Sequence, residues 1–167
     1  MLNSILDHTF GIVQGRLITP PGNELQWFPQ EEWDKEFELA SELGMNYIEF
    51  IVERQHNMHN PIWNDDGIEK IKKLARKNNL LLHAFCNDYI IDHCLIKSKK
   101  VVDQTLNLIL KGKQLGLEKL IIPLFENSEL NFSNYKSYAD ALKEIGDVAK
   151  ENDILICLET ILNGEQL

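Results

Sequence analysis

The chain has 167 residues, of which 44% are hydrophobic, so it can bury the core of one domain and is not a disordered segment. Its 26 acidic and 17 basic residues give a formal charge of −9, which disfavours nucleic acid as a partner. No run approaches about 18 consecutive apolar residues, so we expect no membrane span. Three cysteines without paired spacing favour reduced thiols and a cytoplasmic location.

Short apolar, β-branched runs alternate along the chain with segments of helical periodicity. Each run is nearly all apolar, as in parallel strands that are covered on both faces. The predicted strands are residues 10–13, 47–52, 80–85, 120–124 and 154–158. The predicted helical faces lie within residues 33–43, 68–75, 102–110 and 135–149. The pattern is that of an α/β fold.

Three local signals set the predicted helix boundaries. Gly44 and Gly116 stand where the first and third helices should end and turn into the next strand. Asp66, followed three residues later by Glu69, predicts a capping box at the start of the second helix.

The spacing of the predicted strands leaves two architectures open. One strand and its helix take about 36 residues, so eight units would need roughly 290, the size of a (β/α)₈ barrel. The chain holds four units and a fifth strand, which fits either the first part of such a barrel or a complete flavodoxin-like sheet. A flavodoxin-like chain normally ends in a helix over its last strand, and residues 161–167 are too short for one. This favours the partial barrel.

Polar side chains near the carboxyl ends of the predicted strands are the candidate site residues, because parallel α/β folds place their sites there. They are Gln14, Arg16, Glu49, Glu53, His83, Asn87, Asp88, Glu126 and Glu159, of which we expect Gln14, Arg16, Glu49, His83 and Glu159 to form the site. The charge of Glu159 follows an apolar run directly, so it needs a metal ion, an arginine or backbone amides as its partner. An ion pair with Arg16 is the structural alternative for Glu49.

The histidines and the absence of common catalytic motifs limit the kinds of site that the sequence can form. A lone strand histidine such as His83 is more often a hydrogen-bonded core residue than a ligand. His56 and His59 have H-x-x-H spacing, but the surrounding asparagines and proline indicate a polar surface loop. The sequence has no glycine-rich phosphate loop, no dinucleotide fingerprint and no nucleophile elbow, which argues against the common nucleotide-dependent enzymes.

Four segments of the chain are similar to a known family. Residues 11–17, Gly-Ile-Val-Gln-Gly-Arg-Leu, with a Pro-Pro-Gly loop after them, resemble the first strand of the sugar-phosphate isomerase/epimerase proteins. These belong to the xylose isomerase-like TIM barrels, the superfamily that also contains endonuclease IV. Residues 43–50, 86–89 and 158–160 agree in the same order and with matching gaps.

The resemblance implies a (β/α)₈ TIM barrel, of which residues 1–167 would be the first four βα units plus strand five. It implies a divalent metal ion (manganese, magnesium or zinc) with Glu159 as a ligand and as an acid/base catalyst. It also places Glu49 near the substrate and matches His83 loosely to a strand-three histidine of endonuclease IV-like members. Gln14 and Arg16 lie in the matched first segment and are expected to bind substrate.

The implied activity is isomerisation or epimerisation of a sugar or sugar phosphate, by metal-assisted proton transfer between carboxylates. The family's other metal ligands come from later strands, so we expect a truncated chain that is inactive alone. One alternative is an endonuclease IV-like phosphodiesterase, which the acidic charge disfavours. Another is a non-catalytic partial barrel, completed by a partner or by self-association through its exposed sheet edges.

Overall fold

A computed structural model of the protein describes residues 9–22 and 27–165. Helices and strands alternate along it, and every predicted strand and helical face falls within or against an observed element. The strands are β1 Gly11–Val13, β2 Tyr47–Val52, β3 Leu81–Asn87, β4 Lys119–Leu124 and β5 Leu155–Thr160. The helices are α1 Lys35–Glu42, α2 Asp65–Lys77, α3 Tyr89–Asp92, α4 Lys99–Leu115 and α5 Tyr135–Glu151.

The five strands form one parallel sheet in the order β1-β2-β3-β4-β5. A flavodoxin-like sheet would have the order 2-1-3-4-5. A sequential order is that of a barrel wall, in which each strand lies beside the next. The sheet therefore decides between the two predicted architectures, and the fold is α/β with five parallel strands, consistent with a partial TIM barrel.

The helix boundaries confirm two of the predicted signals and correct the third. Gly44 and Gly116 follow α1 and α4 with φ angles of 74° and 78°, the left-handed conformation that glycine adopts at helix ends. Helix α2, however, begins at Asp65, and the cap is Asn64, whose side chain accepts the Gly67 N–H at 2.7 Å. The predicted cap at Asp66 is wrong, because that residue already lies in the first turn.

The sheet is packed against its helices on one face. Phe85 of β3 lies against α4 at Gly112, where an added Cβ would be 2.6 Å from the phenylalanine ring. Phe37, Phe50 and Tyr138 are among the largest fully buried side chains of this core. Cys86, Cys94 and Cys157 are all free thiols. No helix in the described ranges is long and apolar enough to cross a membrane.

The pairing of β2 with β3 contains a β-bulge. Ile48 pairs with Leu82, but Phe50 pairs with Phe85, so two residues of β3 stand opposite Glu49 alone. A bulge of this kind interrupts the alternation of side chains along the strand.

The bulge decides which residues of β3 share a face with Glu49. Uninterrupted alternation would have placed Asn87 beside Glu49, on the face of His83. Instead Cys86 and Asp88 line the same cavity as Glu49, and Asn87 points to α4, where its amide donates to Thr105 Oγ1 at 3.1 Å. The inner face of the sheet therefore gains a thiol and a carboxyl that the simple alternation assigns elsewhere.

Candidate functional site

A cavity of about 460 Å³ lies on the inner face of the sheet at the carboxyl ends of the strands. Three of the five predicted site residues, Arg16, Glu49 and Glu159, meet there. The full lining is Val13, Arg16, Glu49, Ile51, Cys86, Asp88, Ile121, Cys157, Leu158 and Glu159.

Glu49 is a half-buried carboxyl on β2 whose surroundings favour its neutral form. Burial, followed by the negative charges of Asp88 and Glu159, raises the pKa of Glu49 to about 7. The alternative of an ion pair with Arg16 is not observed among the described residues, since Glu49 has no salt bridge there. A carboxyl with a pKa near neutrality can both accept and donate a proton under physiological conditions.

Asp88 is a strand-end residue that the sequence did not predict to be part of the site, yet it lines the cavity. It is 1% exposed, and the Cys86 thiol donates to its Oδ1 at 3.1 Å, while Oδ2 has no hydrogen-bond partner in the described part of the chain. Burial raises the pKa of Asp88, opposed first by the Cys86 hydrogen bond. Burial also raises the pKa of the Cys86 thiol, so this thiol keeps its proton and remains a donor. Its position after the third predicted strand and the segment 86–89 in the family resemblance were the signals available for Asp88.

Glu159 lies at the expected position near the end of β5, but its surroundings differ from those predicted. Its side chain is exposed at the mouth of the cavity rather than buried behind the apolar strand. Water therefore solvates the charge, and the argument that Glu159 requires a buried partner does not hold.

Arg16 reaches the cavity from a loop that a buried carboxylate holds in place. Glu36 of α1 is fully buried and accepts the Gly15 N–H at 2.8 and 2.9 Å and the Leu17 N–H at 3.0 Å. The Trp27 indole N–H donates to the Gly15 carbonyl oxygen at 2.9 Å. Burial raises the pKa of Glu36, and the hydrogen bonds from the loop amides oppose that effect. Sequence reasoning missed Glu36, which looks like one acidic residue of a solvent-facing helix.

The structure does not bring the other two predicted residues into the cavity. Gln14 is 1% exposed, and within the described ranges its side-chain amide has no hydrogen-bond partner. His83, which the resemblance matches loosely to a strand-three histidine, lies within β3, and the strand continues to Asn87. His83 Nδ1 lies 3.1 Å from Glu118 Oε2, and the ring packs edge-on against Tyr47 near the amino end of the sheet.

A three-way ion pair joins the loops at the rim of the cavity. Arg54, after β2, binds Asp92 of α3 with Nη2 to Oδ1 at 2.6 Å. The same guanidinium binds Glu126, after β4, with Nη2 to Oε2 at 2.6 Å. Glu126 has a φ of 52°, a left-handed conformation that is uncommon outside glycine. The pair therefore connects the ends of β2, β3 and β4 across the surface.

The described residues do not assemble a complete metal centre. No group of three or more His, Cys, Asp and Glu side chains in ranges 9–22 and 27–165 is arranged to hold a metal ion. Asp88 Oδ2 and Glu159 offer carboxylate oxygens, but a divalent cation takes more ligands than these two provide. The expected metal site therefore does not fit this part of the chain taken alone.

Comparison with known proteins places this geometry in a family. The model of the family described as xylose isomerase-like TIM barrel matches residues 37–167. No curated protein matches the sequence significantly.

Solved structures share the fold at low sequence identity. D-psicose 3-epimerase from Clostridium cellulolyticum H10, solved with D-tagatose, has a TM-score of 0.69 at 16% identity over 96% of this chain and 54% of that chain. A xylose isomerase-like TIM barrel protein from Mycobacterium smegmatis, in complex with magnesium, has a TM-score of 0.63 at 16% identity over 90% and 54%. A sugar phosphate isomerase/epimerase from Parabacteroides distasonis has a TM-score of 0.59 at 12% identity over 93% and 52%.

The chain thus spans about half the length of the solved structures that it matches. Identities this low establish a shared fold and not a shared substrate. The family model covers most of the chain, including β2 to β5 and the cavity residues on them. The protein therefore belongs to the xylose isomerase-like TIM barrel family.

Proposed function

We propose that the protein is a cytoplasmic sugar or sugar-phosphate isomerase or epimerase, and that Glu49 and Glu159 carry the proton transfer. The observation that carries the proposal is a carboxyl of pKa about 7, Glu49, in a cavity at the carboxyl ends of the strands. Structural neighbours named as a psicose epimerase and a sugar phosphate isomerase/epimerase support this class of reaction.

The chemistry begins at a carbon next to the carbonyl of a ketose. Ionised Glu49 accepts the proton from that carbon, and the electron pair of the broken C–H bond forms the enediolate. A protonated carboxyl then returns a proton. In epimerisation the proton goes to the opposite face of the same carbon. In isomerisation it goes to the former carbonyl carbon, while the hydroxyl proton of the enediolate moves to the former carbonyl oxygen. Glu159 lies on β5, with β3 and β4 between it and Glu49, so the two carboxyls face the cavity from different sides.

Asp88 supports this role from the floor of the cavity. Its Oδ2 is buried and has no hydrogen-bond donor in the described part of the chain, and each hydroxyl of a sugar supplies a donor. Binding a hydroxyl there would satisfy an otherwise costly unpaired group, so the substrate itself completes the site.

A divalent metal ion remains part of the proposal, with Glu159 as one ligand and the remaining ligands outside the described residues. A neighbour solved in complex with magnesium supports this expectation. The proton transfers above are assigned to side chains of this chain and do not depend on the ion.

We also propose that a complete barrel needs units beyond these five strands and that the 167 residues alone are inactive. An apolar groove of about 550 Å³ between β5 and α5, lined by Leu158, Leu162 and Tyr135 among others, is where the next βα unit of a barrel would pack. Sequencing the coding DNA past codon 167 tests this: an open frame with further Asp, His and Glu residues at strand ends supports it. A stop codon there would instead point to completion by a second copy.

Proton exchange gives the direct test of the proposed function. The complete protein, supplied with Mg²⁺ or Mn²⁺, should exchange the α-proton of a ketohexose with solvent deuterium, followed by ¹H NMR. E49Q and E159Q should each lose about 10²- to 10⁴-fold in exchange rate. E38Q, which changes an exposed acid of α1, is the matched control and should exchange normally. If E49Q exchanged the proton at the wild-type rate, Glu49 would be excluded as the base.

A further inference from the structure

Among the described residues, one cationic side chain lines the cavity, and it has no bound partner there. The chain has three arginines. Arg54 is engaged by Asp92 and Glu126, and Arg76 is exposed in the last turn of α2. Arg16 is the only basic residue in the cavity lining and makes no hydrogen bond or ion pair within 9–22 and 27–165.

The loop that carries Arg16 is built to a fixed shape. Its two flanking amides, of Gly15 and Leu17, donate to the buried Glu36 carboxylate, and its Gly15 carbonyl accepts from Trp27. Gly15 has a φ of 87°, and a Cβ there would lie 2.2 Å from the Trp27 carbonyl oxygen, so no other residue fits. The cost of burying the Glu36 carboxylate is offset by these hydrogen bonds, which hold the backbone on both sides of Arg16.

Neutralising the cavity acids does not account for this arrangement. The charge of Arg16 lowers the pKa of Asp88, but it is the last of the five causes acting on that group. Asp88 Oδ2 still lacks a hydrogen-bond partner, and no salt bridge in the described part of the chain joins Arg16 to Glu49 or Glu159. The guanidinium therefore lines the cavity from a solvent-exposed position, without a hydrogen-bond partner in the described part of the chain.

A guanidinium presents a planar fork of donors that matches a phosphate or a carboxylate in bidentate geometry. The chain carries a net charge of −9, which repels anions at long range, so an anionic ligand needs a local cation to bind. We propose that Arg16 is an anion-binding subsite and that the substrate is a sugar bearing a phosphate or a carboxylate. The sugar in this inference rests on the proposed function; the anion rests on Arg16 alone.

Binding of inorganic phosphate tests the subsite without any turnover. Titration of the ¹⁵N-labelled protein with phosphate at constant ionic strength should shift the Arg16 side-chain resonance saturably. R16Q should have an affinity for phosphate at least tenfold lower than the wild type. R16K keeps the positive charge but lacks the planar fork of donors, so its affinity should lie between those of R16Q and the wild type. R76Q removes the same charge from the surface of α2 and should bind as the wild type does. Equal affinity in R16Q, or no saturable shift in the wild type, would overturn the proposal.

Turnover then identifies the anion. The complete protein is assayed with a ketohexose, the same ketohexose phosphorylated, and a sugar acid with a carboxylate in place of the phosphate. In R16Q, kcat/KM for the preferred anionic sugar should fall at least tenfold more than kcat/KM for the neutral one. An equal fall in kcat/KM for all three substrates would show that Arg16 does not recognise the anionic group.

The two proposals fail separately. Phosphate binding that depends on Arg16, without any sugar turnover, would exclude the isomerase function and leave the subsite. Turnover of the neutral ketohexose, without phosphate binding, would exclude the subsite and leave the isomerase.

Discussion

Glu36 and Asp88 are both carboxylates with almost no exposure to solvent, yet their surroundings are opposite. The carboxylate oxygens of Glu36 accept hydrogen bonds from the Gly15 and Leu17 N–H groups at 2.8 to 3.0 Å. Asp88 has one thiol donor on Oδ1 and nothing in the described ranges on Oδ2. Both pKa values are raised by burial, so the direction of the shift does not distinguish the two groups.

The difference separates a structural acid from a site acid. A buried carboxylate whose hydrogen bonds come from its own backbone contributes to stability, because removing it leaves several donors unpaired. A buried carboxylate that faces a cavity with an empty acceptor lowers stability until a ligand supplies the missing donor. Substitutions at the two positions should therefore change the free energy of unfolding in opposite directions.

The largest effect is expected at Glu36. E36Q places an amide N–H₂ where the loop N–H groups need an acceptor, and the free energy of unfolding should fall by about 2–3 kcal/mol. Urea unfolding monitored by circular dichroism measures it, with E38Q on the exposed face of α1 as the control. A loss below about 0.5 kcal/mol, the range of an ordinary surface substitution, would show that the loop does not depend on Glu36.

The second largest effect is expected at Glu49, whose titration should make the free energy of unfolding depend on pH. Its pKa rises from 4.5 in the unfolded chain to about 7 in the folded one, so the folded state holds the proton more tightly. Stability from this group is therefore greatest below pH 4.5 and is lost as the pH rises to about 7. After discounting for partial exposure, we expect a loss of about 2 kcal/mol, which E49Q should abolish.

Urea unfolding of the wild type and E49Q at several pH values across that window measures the difference. Titrating groups far from Glu49 affect both proteins equally, so the difference reports Glu49 together with the two charges coupled to it, Asp88 and Glu159. A constant difference between the two proteins at all pH values would mean that Glu49 titrates normally.

At Asp88 we expect a substitution to raise the free energy of unfolding, whereas at Glu36 it lowers it. D88N keeps an acceptor for the Cys86 thiol and removes a buried charge, so it should raise the free energy of unfolding by about 1 kcal/mol at pH 8. The gain should shrink as the pH falls, because burial raises the pKa of Asp88 and so favours protonation of the wild-type carboxyl. Under the proposed function, the same substitution should weaken substrate binding. Destabilisation at pH 8 would place Asp88 with Glu36 as a structural acid.

The strands and the fold class could be predicted because buried parallel strands are continuous apolar runs. The predicted 47–52 strand coincides with β2, and the remaining strands differ by a few residues at their ends. The predicted third strand ends at residue 85, two residues before β3 does, because Cys86 and Asn87 follow the apolar run that marks the strand. Strand order could then be inferred from the unit length and the missing final helix.

The site could be predicted only where it depends on position along one strand. Glu49, Glu159 and Arg16 follow from strand ends, whereas the bulge opposite Glu49 depends on how β2 packs on β3. That bulge moves Asp88 into the cavity. Glu36 was missed for a similar reason, since its partners lie 19 to 21 residues earlier in the chain.

The smallest effect is expected at the rim, where Arg54 joins Asp92 and Glu126. Their side chains are 34%, 27% and 52% exposed, so water already solvates these charges and screens their attraction. Despite bond lengths as short as those at Glu36, R54Q should lower the free energy of unfolding by less than about 1 kcal/mol. The loss should also vanish at about 1 M salt, where the Debye length is about 3 Å. R76Q is the matched control. A loss of more than about 2 kcal/mol in R54Q would show that solvent exposure does not make the Arg54 ion pairs weaker than the buried hydrogen bonds of Glu36.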